Sequence, residues 1–209
     1  MPYTKEEEYW NTLTHGIGAI LSLIGLMAML IYTAQFSSTL AVICSSIYGG
    51  SLVLLYTAST VYHASREKRW KDFFRKVDKL CIYLLIAGTY TPVLMLGIGG
   101  TWGWVLLSII WALVVLGFVF QFSSMQKSES WSLLIYIAMG WLAVVAVKPM
   151  LENLSLATII CLVTGGVLYT SGVYFYAQER IRFNHVIWHL FVLGGSISHF
   201  VAIFLLLLA

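Results

Sequence analysis

Charge is what this 209-residue sequence has least of. Asp, Glu, Lys and Arg together make up 10% of it, against 60% for the hydrophobic residues. Soluble domains carry about 25% charged and about 45–50% apolar residues, so the composition excludes a water-soluble globular class. Cysteine is equally scarce. Cys44, Cys81 and Cys161 all fall in apolar stretches. Their spacing offers neither a disulfide framework nor a CxxC metal clip, and they read as small buried hydrophobes. Proline occurs three times, and Pro92 lies inside an apolar segment that it is expected to bend. The start, MPYTKEEEYW, lacks the basic character of a signal peptide, and the apolar run after it is too long for a signal core. That run is expected to be a retained helix.

What remains is mostly apolar and long. A helix needs roughly 20 apolar residues to cross a bilayer, so 209 residues hold seven spans with short loops and no soluble domain. The segments fall at approximately 13–34, 41–64, 78–98, 102–122, 131–148, 155–177 and 184–208. Between them lie QFSST, SREKRWKDFFRK, GIGGTWG, SSMQKSES, KPMLENLS and QERIRF. In lipid every backbone polar group needs a partner within its own segment, which favours helices. A β-barrel would show alternating ten-residue runs instead. The expectation is one all-α domain over residues 1–209, a polytopic bundle of seven transmembrane helices.

The positive charges orient it. With the N-terminus on one side, eleven of the twelve Lys and Arg residues fall on that side: Lys5, Arg66, Lys68, Arg69, Lys71, Arg75, Lys76, Lys79, Lys127, Arg180 and Arg182. Only Lys148 falls on the other. The positive-inside rule then places the N-terminus in the cytoplasm and the C-terminus outside. The basic second loop is expected to lie against anionic headgroups.

Ionisable side chains are costly inside a bilayer and mark candidate sites. His63 ends the second segment, Asp78 opens the third, and His185 and His189 open the seventh. Under this topology all four share one depth near the cytoplasmic face. His185-x-x-x-His189 sets two imidazoles on one helical face, the spacing by which a single helix offers two nitrogens to one ion. Ser59-x-x-x-His63 sets a hydroxyl one turn deeper than the third imidazole. Three imidazoles and an open fourth position describe a catalytic zinc site, beside which Asp78 could hold the metal-bound water or take its proton. Each residue also has a plainer role: a histidine bonded to a carbonyl at a helix end, or an acid at a helix N-terminus. His199 lies 14 residues beyond His185, roughly 21 Å along a helix, and cannot reach the same ion. His15, with Asn11 one turn earlier, could border the site or serve the packing of helices. Cys81 is a weaker candidate for a fourth ligand.

Taken together, Glu8-x-x-Asn11-x-x-Thr14-His15-Gly16, Ser59-x-x-x-His63, Asp78, and His185-x-x-x-His189 followed by His199 resemble the bacterial hemolysin III proteins. Those proteins group with the progestin and adipoQ receptors and, more distantly, with alkaline ceramidases. The resemblance covers nearly the whole chain. It implies seven helices, a cytoplasmic N-terminus, and a zinc ion held by His63, His185 and His189. It also implies that Asp78 contacts the zinc-bound water with Ser59 in support, in a multi-pass protein of the bacterial inner (plasma) membrane.

Three functions follow as expectations. The first is a zinc-dependent hydrolase of a lipid amide, with acyl chains in the bundle interior and membrane lipids, not nucleic acid, as partners. The second is a lipid sensor or regulator in which zinc is structural. The third is membrane lysis. A transporter is disfavoured, because seven spans do not divide into equal inverted repeats. The pairs Gly49-Gly50, Gly165-Gly166 and Gly194-Gly195 read as points of close helix packing.

Overall fold

A computed structural model describes residues 3–122, 129–178 and 180–209. Lys127, one of the eleven charges counted above, lies outside them. The described residues are nearly all helical. Seven helices are long and apolar enough to cross a membrane. The helices α1 (Lys5–Phe36), α2 (Thr39–Ala64) and α3 (Lys68–Pro92) come first, followed by α4 (Gly100–Phe122). The fifth span joins α5 (Glu129–Gly140), a 3₁₀ stretch (Trp141–Ala146) and α6 (Val147–Asn153). Then come α7 (Leu156–Ala177) and α8 (Asn184–Leu208). α2 packs between α1 and α3, and α8 packs between α7 and α1, so the polar faces of α1, α2 and α8 meet inside the bundle.

Two helices begin earlier than their apolar runs. α1 starts at Lys5 and not near residue 13, because Thr4 and Glu7 form a reciprocal capping box. The Glu7 carboxylate accepts the Thr4 N–H at 2.8 Å, and the Thr4 hydroxyl accepts the Glu7 N–H at 3.2 Å. α3 starts at Lys68, ten residues before Asp78. Most of the basic stretch read as a loop is therefore helix, and Asp78 sits well inside α3 instead of opening it.

Two spans are irregular, each for a local reason. Pro92 ends the α-helical part of α3, and a π-helical turn, Val93–Ile98, carries the chain on. Proline has no N–H to donate to the preceding turn, so the ladder reorganises there. The turn closes at Gly99 and Gly100, both left-handed at φ 64° and 56°, where glycine is the favoured residue. In the fifth span, the Tyr90 hydroxyl donates to the carbonyls of Met139 and Gly140 and accepts the Ala143 N–H. A side chain inserted into the ladder converts the helix locally to 3₁₀.

The glycine pairs behave as points of close approach at one member each. A Cβ on Gly165 would collide with the His199 ring, and one on Gly195 would press on Tyr169. Cys44 and Cys81 are buried and all three cysteines are free, in keeping with their reading as small hydrophobes.

Candidate metal centre

The site forms where α1 begins, α2 ends and α8 begins. α2 delivers His63 in its last turn, and α8 delivers His185 and His189 on one face of its first two turns. All three are buried, at 3%, 8% and 1% exposure. One potential ligand atom from each lies within 4.8 Å of the others, a grouping that could hold a metal ion.

What aims these rings comes from the N-terminal segment. The His63 Nδ1–H donates to Glu8 Oε2 at 2.7 Å. The Thr14 hydroxyl donates to the Trp10 carbonyl at 2.9 Å, so its oxygen is left to accept the His189 Nδ1–H at 3.1 Å. His185 Nδ1 shares a hydrogen bond of 2.9 Å with the Tyr3 hydroxyl. Each Nδ1 is thus engaged, which leaves Nε2 as the atom each ring can offer to an ion. Such outer partners fix the tautomer and direction of a ligating imidazole. The His63 and His185 Nε2 atoms stand 3.2 Å apart. Two nitrogens on one tetrahedral ion, each about 2.0–2.1 Å from it, are separated by roughly 3.3 Å. This pair is therefore spaced as two donors to one small tetrahedral cation are.

Glu8 is shared. Its other oxygen takes the Lys71 ammonium at 2.7 Å, which anchors the first turn of α3 to the site. Farther out, Arg182 donates to Glu6 at 3.1 Å and the Phe183 N–H donates to Glu7 at 3.3 Å. Among the described residues Phe183 is the non-glycine residue at positive φ, 59°, immediately before α8. These contacts tie the start of α8 to the start of α1, and so set His185 against His63.

Ser59 and Asp78 are outside that grouping and connect to it through His15. Ser59 is buried and hydrogen-bonds the Asp78 carboxylate. It also bonds His15 Nδ1 at 2.7 Å. His15 stacks on His189 with ring centroids 3.4 Å apart and planes 12° from parallel. Cys81 lies in the apolar core. The His199 Nε2–H donates to the Leu162 carbonyl at 3.0 Å, a bond between α8 and α7 far from the cluster.

The sequence matches the family model described as Haemolysin-III related over residues 3–200. The chain belongs to the haemolysin-III related family. It is 45% identical to Hemolysin-3 of Bacillus cereus over 195 residues, covering 93% of this chain and 89% of that protein. It is 42% identical to a Hemolysin-3 homolog of Bacillus subtilis (strain 168) over 198 residues, 95% and 93% of the two chains. The human monocyte to macrophage differentiation factor is 32% identical over 163 residues, 75% of this chain and 67% of that one.

In this haemolysin-III related chain, residue type and spacing pointed to His63, His185, His189, Ser59 and Asp78. Tyr3, Glu8 and Thr14 were not singled out as supports of the imidazoles. Glu8, Asn11 and His15 follow one another at three and four residues, which puts them on one helical face. That signal becomes readable once the helix is known to start at Lys5.

Proposed function

We propose that this family member is a zinc-dependent hydrolase of a membrane lipid, acting on an amide bond. One observation carries the reading: three buried imidazoles with engaged Nδ1 atoms lie close enough to share one ion, and a serine–carboxylate pair adjoins them through His15. Three neutral nitrogens suit zinc and leave a fourth position for a reacting group. When bound, zinc supplies Lewis acidity, polarising a carbonyl oxygen and acidifying water. His63, His185 and His189 hold it. Asp78 accepts and returns the proton. Ser59 lies between Asp78 and His15, and once Asp78 has taken the proton its hydroxyl is released to donate toward negative charge developing on the carbonyl oxygen. Acyl chains lie among the apolar helices.

The charge bias supports a cytoplasmic N-terminus and a site at the inner face of a bacterial inner membrane. A reporter fused at either terminus and assayed for accessibility tests that orientation. The hydrolase reading is tested with purified zinc-loaded protein and a panel of long-chain lipid amides. Turnover that Asp78→Ala abolishes supports it. Turnover unchanged in that variant refutes the role given to Asp78, and no turnover on any lipid refutes the activity.

A second reading draws on the same geometry. Ligands from α2 and α8, aimed by partners from α1, make the ion a cross-link of three helices. A purely structural zinc in a lipid-sensing protein predicts full occupancy, a lower unfolding temperature in His63→Ala, and no turnover. The printed name of the Bacillus cereus relative suggests lysis. Dye efflux from liposomes at low protein density tests whether this chain itself permeabilises a bilayer.

A further inference from the structure

The group between α1 and α8 holds polar atoms that the metal centre does not use. Asn11 is fully buried, yet neither its Nδ2 nor its Oδ1 has a hydrogen-bond partner. His15, one turn later, is 3% exposed, and its Nε2 is also without a partner. Unsatisfied buried groups are rare in native proteins and call for a physical reason. Both residues occupy the α1 face that carries Glu8, the partner of His63.

The hydrogen-bond directions define what His15 offers. With Asp78 ionised, as a residue that is to accept the proton must be, the Ser59 hydroxyl donates to that carboxylate, which can only accept. Ser59 therefore receives the His15 Nδ1–H, and His15 Nε2 is left as a bare acceptor. It cannot serve as a fourth ligand in this arrangement. A metal-bound imidazole holds the ion close to its own ring plane, and the His15 and His189 rings lie nearly parallel, 3.4 Å apart at their centroids. An ion about 2.0–2.1 Å from both nitrogens would sit far out of at least one plane. The four-residue spacing places Asn11 and His15 one turn apart, about 6 Å along the axis. Together they offer an N–H donor and a nitrogen acceptor on the α1 face that meets His63 through Glu8 and His189 through His15.

A secondary amide complements that pair. Its carbonyl accepts and its N–H donates, in opposite directions, whereas an ester has only the acceptor. We infer that Asn11 and His15 form a recognition pair for the secondary amide of an N-acyl lipid. Asn11 Nδ2 donates to its carbonyl oxygen, and His15 Nε2 accepts its N–H. This rests on the hydrolase reading above, and adds to it the residues that select an amide over an ester. Both act by positioning, with no bond made or broken at either.

The test uses the zinc-loaded full chain in phosphatidylcholine nanodiscs. The probes are a long-chain N-alkyl amide and the ester of equal length, each with a fluorophore at its far end, and binding is read by stopped flow before turnover. The wild type is expected to bind the amide roughly tenfold or more tighter than the ester. His15→Phe keeps an aromatic ring against His189 and removes the acceptor. It should bring amide binding down to the ester level and leave the ester unchanged. Asn11→Leu, which removes the donor common to both complexes, should weaken both ligands. Zinc content and unfolding temperature equal to wild type show that each variant retains its fold. Equal binding of amide and ester by the wild type, discrimination surviving in His15→Phe, or binding of neither probe overturns the inference. Discrimination without turnover would refute the hydrolase reading and leave the recognition pair standing. Turnover without discrimination would do the reverse.

Discussion

Glu8→Gln isolates the contribution of the imidazole supports. Glu8 sits between two cationic or donor groups, the His63 Nδ1–H at 2.7 Å and the Lys71 ammonium at 2.7 Å. Its carboxylate fixes the tautomer that frees His63 Nε2 and raises the electron density on that ring. Glutamine keeps the shape and one acceptor oxygen but loses the charge. Replacing an outer partner of a metal ligand weakens affinity by about 10–100-fold, or about 1.4–2.7 kcal/mol. Competition against a chromophoric chelator in detergent measures this directly. Glu6→Gln is the matched control. The ion pair of Glu6 with Arg182 has both side chains more than half exposed, and such pairs contribute about 0–1 kcal/mol. It should leave zinc affinity within about twofold. Equal affinity in Glu8→Gln and wild type would refute the assignment of His63 Nε2 as a ligand aimed by Glu8.

Other perturbations probe the scaffold and the ligand chemistry. Gly165→Ala places a methyl against the His199 ring and should cost roughly 1–3 kcal/mol of stability. Zinc affinity should not change, because His199 lies ten residues beyond His189, about 15 Å along α8. A thermal melt with and without metal separates the two. Tyr90→Phe leaves the Met139 and Gly140 carbonyls and the Ala143 N–H without the hydroxyl that engages them. Equilibrium unfolding in mixed micelles should show a loss of about 1–3 kcal/mol, and an unchanged midpoint would contradict the origin given for the 3₁₀ stretch. Imidazoles must be neutral to bind metal, so protons compete with the ion. Zinc affinity should be constant at high pH and fall by roughly tenfold or more on acidification, as protons displace the ion from the three imidazoles. A pH-independent affinity would argue against three imidazole ligands.

The seven spans were legible because each is a continuous apolar run, and lipid leaves such a run few alternatives to a helix. Two starts were not. Residues 5–10 and 68–77 are rich in charge, and hydropathy alone assigns such stretches to loops. The Thr4-x-x-Glu7 capping box was the available signal for the first. The 3₁₀ stretch at Trp141–Ala146 was invisible for a different reason: its cause, Tyr90, is 53 residues from the N–H it accepts. The three histidines were recoverable from a four-residue spacing combined with depth. Their supports were not. Tyr3 meets His185 across 182 positions and Thr14 meets His189 across 175. Ordinary threonines and tyrosines carry no mark of such pairings. His15 was visible as a buried imidazole, but its stacking on His189 and its bond to Ser59 depend on how α1 seats against α2 and α8.

The proposed function depends on a single zinc ion held by His63, His185 and His189. Elemental analysis of protein purified without added metal tests it most directly, alongside a monodisperse His185→Ala variant. Close to one zinc per chain is expected in the wild type, with a loss of nearly all of it in the variant. A wild type without zinc, or a His185→Ala protein that retains it, would contradict the site.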